Sequence, residues 1–360
     1  MEPTLIGDPA CGDQILVNKL AYQNGGPKRW DVVVFRHPLN NAYHFLKRVV
    51  GLPGEKIAIK NGNLYLGEEI VRKPPRVQEE LLFPVFLGGD EFSGRWKFQG
   101  SHWKKEKEWV SLETHSLSWC QYAHRIVDEY LPQKDRFFLK REKPVFLVGG
   151  NHHVGEISIA LEATCMTDEG SVMVQIRGGH KRFLLVLSFE GSSLLCYQGE
   201  SMQPYYRMEF EFRLRSRTSY RIRMSNLDEI VSVSLDDVPV ISYDYALPAS
   251  RTPQNTYESG VKFGGKNGIF VFSNIRLWRD IYYIGRRDMY GGANRWEIPS
   301  GHYFVLGDNS AHSHDSRDWK KFRMTLKNGI CIDGDQENLP VYREETYHFE
   351  IGRASCRERV

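Results

Sequence analysis

The sequence predicts an all-β protein with two kinds of strand pattern. Between residues 12 and 75, short apolar segments follow one another closely, with turn residues between them and no helical periodicity. From Gly155 onwards, longer segments alternate between apolar and polar side chains. A chain of 360 residues is long enough for two domains, so we assign the two patterns to two β domains.

The first pattern predicts a barrel-like core of short strands. Two of these strands are joined by Asn61-Gly62, a dipeptide that favours the tight turn of a β-hairpin. Closely spaced strands without helices are typical of an all-β core. The predicted strands are Gln14–Asn18, Asp31–Arg36, Phe45–Val50, Lys56–Lys60 and Asn63–Leu66.

The second pattern predicts a β-sandwich from about residue 150, because seven or more strands recur between turn signals. Residues 268–277 are similar in pattern to the last strands of a concanavalin-like or laminin-G-like jelly roll. Upstream, Leu117–Ile126 fits either a strand or a helix, and we favour a strand. The predicted strands are Glu156–Ala163, Gly170–Arg177, Arg182–Phe189, Tyr206–Leu214, Ile230–Leu235, Val238–Tyr243 and Gly268–Trp278.

Residues 350–360 match an in-frame translation of a common sequencing adapter, and we interpret them as an artefact that should be unstructured. They contain three Arg and two Glu, so the formal net charge of +3 becomes +2 without them. Such a balance argues against a polyanion such as nucleic acid as a partner. No run approaches the ~18 apolar residues of a membrane span. The cysteines show no metal-ligand spacing; buried free thiols are favoured, and a single disulfide stays open.

Three separated blocks carry the strongest functional signal. The first is Met1-Glu2-Pro3-Thr4-Leu5 with residues 12–19, the second is Lys47–Glu55, and the third is Gly307–Trp319. In this order they resemble the conserved boxes of the type I signal peptidases, membrane-anchored Ser–Lys proteases that remove signal peptides from exported proteins. The resemblance covers roughly residues 1–75 and 285–345, so it predicts a protease core interrupted by the β-sandwich.

The resemblance implies that Lys47 is the general base. A lysine accepts a proton only as the free amine, and at a pKa of ~10.4 only about one lysine in 2,500 is neutral at pH 7. Desolvation by apolar neighbours can lower that pKa. The alternative is that Lys47 is a solvated residue on the polar face of its strand.

The resemblance also implies roles for the third block. Ser313 would orient the Lys47 amine, and Asp315 and Arg317 would form a supporting ion pair that fixes the loop. The alternatives are an ordinary loop serine and a surface ion pair that contributes little. Gly307, Asp308 and Asn309 match the family well, whereas the following residues 310–312 match less closely. By the same resemblance His312 and His314 have no catalytic role, and we expect solvated loop residues.

In the resembling family the nucleophilic serine immediately precedes the run that begins here at Met1. We therefore expect that this chain is a fragment without the nucleophile, the oxyanion-hole serine and the N-terminal membrane anchor, and that it is inactive as written. The resemblance implies a bacterial cytoplasmic membrane location, with the catalytic domain on the extracytoplasmic side. It implies signal peptides of exported preproteins as partners, and neither a cofactor nor a metal.

A shallow substrate pocket for small residues such as alanine follows from the same resemblance. The matching positions are Met1, Pro3, Leu5, Phe45 and Leu46.

The predicted domains are 1–75 and 282–349 for the catalytic core, with 76–281 as the inserted domain. Two alternatives stay open. The chain could be a glycan- or protein-binding sandwich module on a vestigial protease core, or a self-cleaving Ser–Lys repressor, which would need a DNA-binding helix-turn-helix.

Overall fold

A computed structural model describes residues 15–36, 44–88, 92–100, 102–128, 130–132, 146–148, 152–251, 259–285, 294–326, 331–334, 347–353 and 356–357. These residues form an almost purely β structure, which confirms the predicted fold class. Two short helices are present in this part of the chain, α1 (Pro75–Glu80) and α2 (Phe92–Arg95). No helix among the described residues has the length and apolar character needed to cross a membrane.

The strands, in chain order, have the following bounds. The first twelve are β1 (Val32–Arg36), β2 (His44–Gly51), β3 (Lys56–Lys60), β4 (Asn63–Leu66), β5 (Glu69–Ile70), β6 (Phe83–Phe86), β7 (Trp96–Gln99), β8 (Trp103–Lys105), β9 (Trp109–Thr114), β10 (Ser118–Tyr122), β11 (Tyr130–Pro132) and β12 (Phe146–Val148). The others are β13 (Ile157–Cys165), β14 (Ser171–Gly178), β15 (Lys181–Ser188), β16 (Ser192–Gln198), β17 (Tyr206–Phe210), β18 (Ser219–Leu227), β19 (Ile230–Leu235), β20 (Val238–Asp244), β21 (Gly260–Lys266), β22 (Gly268–Arg279), β23 (Arg295–Glu297), β24 (His302–Leu306), β25 (Lys320–Leu326), β26 (Cys331–Gly334), β27 (Tyr347–Arg353) and β28 (Cys356–Arg357).

The chain divides into two compact units. Unit 1 comprises Met1–Gly54, Ile298–Gly307 and His314–Val360, and unit 2 comprises Glu55–Glu297 and Asp308–Ser313. The hairpin of β3 and β4, which the sequence assigned to the catalytic core, thus groups with the sandwich strands.

Unit 1 contains a four-stranded sheet in the order β1-β2-β24-β28 and a three-stranded sheet in the order β26-β25-β27. Its apolar cluster is small. Val49, Val305 and Trp319 are buried, and Phe35 and Phe45 pack against them with both rings 5.8 Å from the Trp319 ring. The cluster joins β1, β2 and β24 to the segment that follows β24.

Unit 2 contains a small sheet in the order β23-β3-β4-β5. The predicted hairpin is confirmed: Asn61 and Gly62 both have positive φ, as a type I′ turn requires. Gly62 also packs against Tyr282, whose ring a Cβ at position 62 would strike. The sheet is tied to the loop before β21, because Lys60 donates to the Ala249 carbonyl at 2.6 Å.

The rest of unit 2 is a β-sandwich. One sheet has seven strands in the order β17-β16-β15-β14-β21-β10-β7. The other has eight strands: seven in the order β20-β19-β18-β13-β22-β9-β8, and β6, which pairs with β22. Alternate residues of both sheets enter one apolar cluster, for example Ile159 of β13 and Val174 of β14. Burial of such a side chain stabilises the fold by about 1.5–3 kcal/mol. Strands between residues 96 and 122 belong to the same two sheets as those after residue 150.

Two local predictions are wrong. The segment 15–18 forms no strand, and Ile15 and Leu16 are exposed, because no strand among the described residues pairs with this short apolar run. Residues 350–353 are not unstructured, since they complete β27 and pair with β25; β28 likewise pairs with β24. Backbone hydrogen bonds form there although the side chains carry no apolar periodicity.

Three cysteines are described with their side chains. Cys120, Cys165 and Cys196 are buried free thiols, as expected. Burial raises the pKa of the Cys196 thiol to about 11, so this group stays protonated near neutral pH.

Candidate active-site residues and a buried charge cluster

Lys47 lies in the middle of β2, on the same face as the apolar cluster of unit 1. Side chains two residues apart share a strand face, so Phe45, Lys47 and Val49 point the same way. Val49 is fully buried, Phe45 and Lys47 are half-buried, and the Lys47 Nζ lies 5.7 Å from the centroid of the Phe45 ring. The strand alternation therefore places this ammonium group beside apolar side chains instead of on a polar face.

The predicted pocket residues are only partly described. Met1, Pro3 and Leu5 lie outside the described residues. Phe45 contacts Phe35, with ring centroids 6.1 Å apart. Leu46 points to the opposite strand face and is 52% exposed, which leaves its side chain available for contact.

The third block is held by a fully buried ion pair. The Arg317 Nε donates to Asp315 Oδ1 at 2.8 Å, and a terminal nitrogen donates to Oδ2 at 2.7 Å. Neither side chain has any solvent exposure. The Asp315 carboxylate also accepts the backbone N–H groups of Gly307, at 3.0 Å, and of Arg317, at 3.2 Å. This bidentate, charge-assisted geometry is the strongest kind of side-chain ion pair and fixes the loop against the end of β24.

Neighbouring contacts reinforce the same loop. Ser316 exchanges two hydrogen bonds with the backbone of Val305, one through its N–H and one through its hydroxyl. The Trp319 indole N–H donates to His314 Nδ1 at 3.2 Å. His314 is therefore half-buried and bonded, and not a simply solvated residue, whereas His312 is exposed as expected.

Ser313 belongs to unit 2, whereas Lys47 belongs to unit 1. Ser313 is 7% exposed, and its backbone N–H donates to the Asn309 carbonyl at 2.9 Å. Nearby, the Ser310 hydroxyl accepts the Ile284 N–H at 2.9 Å. In the same stretch Gly307 is buried, Asp308 is half-buried and Asn309 is exposed. Ser313 is thus a buried residue on a hydrogen-bonded turn.

A buried charge cluster in unit 2 was not anticipated from the sequence. The Lys73 ammonium forms ion pairs with Asp228 and, at 2.8 Å, with Asp280. Glu156 lies beside them: its carboxylate accepts the Asn63 amide at 2.5 Å and the Asp228 backbone N–H at 3.0 Å. Oxygens of the three carboxylates lie within 4.8 Å of one another. Such a donor set could ligate a cation, and here the Lys73 ammonium provides the positive charge.

Negative groups outnumber positive ones in this cluster, because one ammonium group faces three carboxyl groups. Burial, together with the charges of Asp280 and Asp228, raises the pKa of Glu156 well above its usual value. Burial also raises the pKa of Asp280. Burial alone would lower the pKa of Lys73, but the surrounding carboxylates raise it, so Lys73 stays charged. No local sequence signal marks the cluster, since Lys73 and Asp228 are 155 residues apart.

Comparisons with known proteins address the protease blocks. The model of the family "Signal peptidase, peptidase S26" matches residues 1–108 and 281–330. A signal peptidase I of Bacillus caldolyticus is 42% identical over 91 residues, which is 25% of this chain and 47% of the relative. A signal peptidase I of Pseudomonas aeruginosa is 33% identical over 129 residues, 31% of this chain and 44% of the relative. The chain thus spans about half the length of these relatives, and it contains a type I signal peptidase-like region.

Two solved structures show a partial likeness to this chain. The carbohydrate-binding module CBM66 of Bacillus subtilis covers 53% of this chain and 96% of its own, with 10% identity and a TM-score of 0.35. A Bacillus subtilis protein of unknown function with a galectin-like fold covers 56% of this chain and 99% of its own length, with 9% identity and a TM-score of 0.35. Likenesses of this strength assign neither a fold nor a ligand.

Proposed function

We propose that the signal peptidase-like region is a serine endopeptidase that removes signal peptides from exported proteins by a Ser–Lys mechanism. The observation that carries this proposal is that the family match includes Lys47, Ser313 and the Asp315–Arg317 pair, which lie far apart in the sequence. The base role is further supported by the place of Lys47 on β2, where it is half-buried on the strand face that also carries Phe45 and Val49.

The proposed reaction proceeds by acyl transfer. The neutral amine of Lys47 takes the proton of a serine hydroxyl, and the serine oxygen attacks the scissile carbonyl to form an acyl-enzyme. The lysine returns the proton to the leaving amine, and a water activated in the same way then releases the acyl group. Ser313 would orient the Lys47 amine, and the Asp315–Arg317 pair would hold the loop that presents Ser313.

The nucleophile is the serine that the resembling family has immediately before the position of Met1. An active enzyme on this proposal needs a serine there, preceded by the oxyanion-hole serine and a membrane anchor. Residues 1–349 alone should therefore not cleave substrate. Met1, Pro3, Leu5, Phe45 and Leu46 would line the pocket for small side chains, and catalysis would take place at the extracytoplasmic face of a bacterial membrane.

The experiment grafts the upstream segment of the Bacillus caldolyticus relative onto this chain, with either serine or alanine at the nucleophile position. Both proteins are incubated in detergent with a peptide that contains an Ala-x-Ala cleavage site. The serine form should cleave after the second alanine, and the alanine form and residues 1–349 should not. Ser313→Ala in the serine form should reduce the rate severely. A folded serine form that leaves the peptide intact would exclude the proposal.

A further inference from the structure

The outer face of the seven-stranded sheet carries a compact group of positive charges. In β14, β15 and β21, core residues alternate with Arg177, Arg182 and Lys262, which therefore point outward. We call these three residues the basic surface. Arg177 and Arg182 are direct cross-strand partners, and Lys262 pairs with Gln175, two residues before Arg177.

Such an arrangement is unfavourable without an anion. Like charges directly opposite each other destabilise a sheet. Burial lowers the pKa of Lys262, and the charges of Arg182 and Arg177 lower it further. The Lys262 ammonium lies 4.3 Å from the Trp119 ring, and the Arg182 guanidinium lies 5.1 Å from the Tyr197 ring. These cation–π contacts hold two of the three charges in place.

The turn after β16 shows which chemistry the basic surface accepts. The carboxylate of Glu200 bonds to Arg177 at 2.5 Å, and the backbone carbonyls of Gly199 and Ser201 accept hydrogen bonds from Arg182. The Glu200 side chain is 71% exposed, so this ion pair contributes little and can be exchanged. Next to it, a Cβ at Gly260, the cross-strand partner of Arg177, would meet no atom within 4 Å. There is therefore open space beside Arg177 and Lys262.

We propose that the basic surface binds an extended acidic peptide segment of a partner protein, whose carboxylates replace Glu200 on Arg177 and engage Lys262. Arg177 and Lys262 occupy diagonal positions on neighbouring strands, about 7–8 Å apart at Cα. Carboxylates at alternate positions of an extended peptide are separated by about 6.8 Å, which matches this spacing. The proposal concerns the sandwich and does not depend on the peptidase proposal.

The test uses the full chain and a fluorescent peptide with glutamate at every second position, separated by glycine, in fluorescence anisotropy at low salt. Its control peptide has glutamine at the same positions. The glutamate peptide should bind, the glutamine peptide should not, and binding should weaken as salt rises. Arg177→Gln and Lys262→Gln should each weaken binding about fivefold, within the range of one exposed ion pair. The control variant is Lys266→Gln, because Lys266 lies on the same face of β21 but four residues away from Lys262. This variant should change the affinity less than twofold.

The decisive variant is Glu200→Gln, which removes the internal competitor and should tighten binding about threefold. Glu200 is exposed, so this variant leaves the fold intact. Unchanged or weaker binding by Glu200→Gln would overturn the proposal, as would equal binding of the glutamine peptide. Equal affinity for an oligogalacturonate or a single-stranded oligonucleotide of the same charge would also overturn it, because the surface would then select charge alone and not a peptide.

Discussion

Each unit contains a buried ionic assembly within the part of the chain that the structure describes, and the two assemblies differ in charge balance. In unit 1 Asp315 and Arg317 form a one-to-one pair in which both carboxylate oxygens accept hydrogen bonds. In unit 2 Lys73 alone faces Asp228, Asp280 and Glu156. The first assembly is neutral as it stands, whereas the second is neutral only if two of its three carboxyl groups bind a proton.

The two assemblies also differ in what they connect. Asp315 and Arg317 are two residues apart, so their pair shapes one loop. The unit 2 cluster links Lys73, next to α1, with the beginning of β13, the β18–β19 turn and the end of β22. Through Asn63 it also reaches the β3–β4 hairpin. A local pair can stabilise a functional loop whatever is inserted elsewhere, whereas the cluster makes the sandwich and the small sheet depend on the same ammonium group.

The largest effect is expected for Lys73→Met. This change leaves the buried carboxylates without their cation, and loss of one partner of a buried ion pair costs about 3–5 kcal/mol. Urea unfolding of the full chain should show a loss of this size. The matched control is Lys56→Met, whose pair with Glu297 is exposed and should contribute about 0–1 kcal/mol. A Lys73→Met chain as stable as the control variant would contradict a stabilising role for the cluster.

In unit 1 we expect a smaller loss of folding stability, which a second substitution can partly restore. Arg317→Met should destabilise the loop, because Asp315 is left buried without a counterion. Adding Asp315→Leu should restore part of the lost stability, since it removes the unpaired buried charge, but the backbone N–H groups of Gly307 and Arg317 then lose their acceptor. No single second substitution should rescue Lys73→Met in the same way. Stability is measured by urea unfolding. If the double variant Arg317→Met with Asp315→Leu is as unstable as Arg317→Met alone, the proposed difference between the two assemblies is contradicted.

The smallest expected effect is a pH dependence of folding stability that arises from Glu156 in unit 2. The pKa of Glu156 is raised in the folded state, so its contribution to stability is fully present below the unfolded pKa of about 4.5. That contribution is lost as the pH rises through the folded pKa. Glu156→Gln cannot ionise, so its stability relative to the parent should increase as the pH is raised from 4.5. A constant difference between the two proteins from pH 4.5 to 8 would show that Glu156 does not titrate in this way.

The sequence predicts the features that local patterns encode. Six of the seven sandwich strands predicted from alternation agree with the structure to within two residues, and Asn61-Gly62 identifies the small hairpin. The pairing of Asp315 with Arg317 was expected by resemblance, and two neighbouring residues of opposite charge can meet in any tight loop.

Features that depend on distant contacts were missed. β8 and β9 were not predicted, yet they pair with each other, and β9 also pairs with β22 in the sandwich. The four charged residues of the unit 2 cluster meet only through tertiary packing, and nothing in their own segments predicts that they are buried. Segment 15–18 shows the opposite error, because a short apolar run that pairs with no described strand does not form a strand.

The central claim is that Lys47 is the catalytic base, and the most direct measurement is peptide cleavage by Lys47 variants of the chain that carries the grafted upstream serine. Lys47→Ala and Lys47→Arg should both abolish cleavage of the Ala-x-Ala peptide. The arginine variant retains the positive charge but cannot serve as a neutral base at ordinary pH. Lys56→Ala, which removes an exposed side chain of β3, should cleave at the parent rate. Undiminished cleavage by folded Lys47→Ala would contradict the claim.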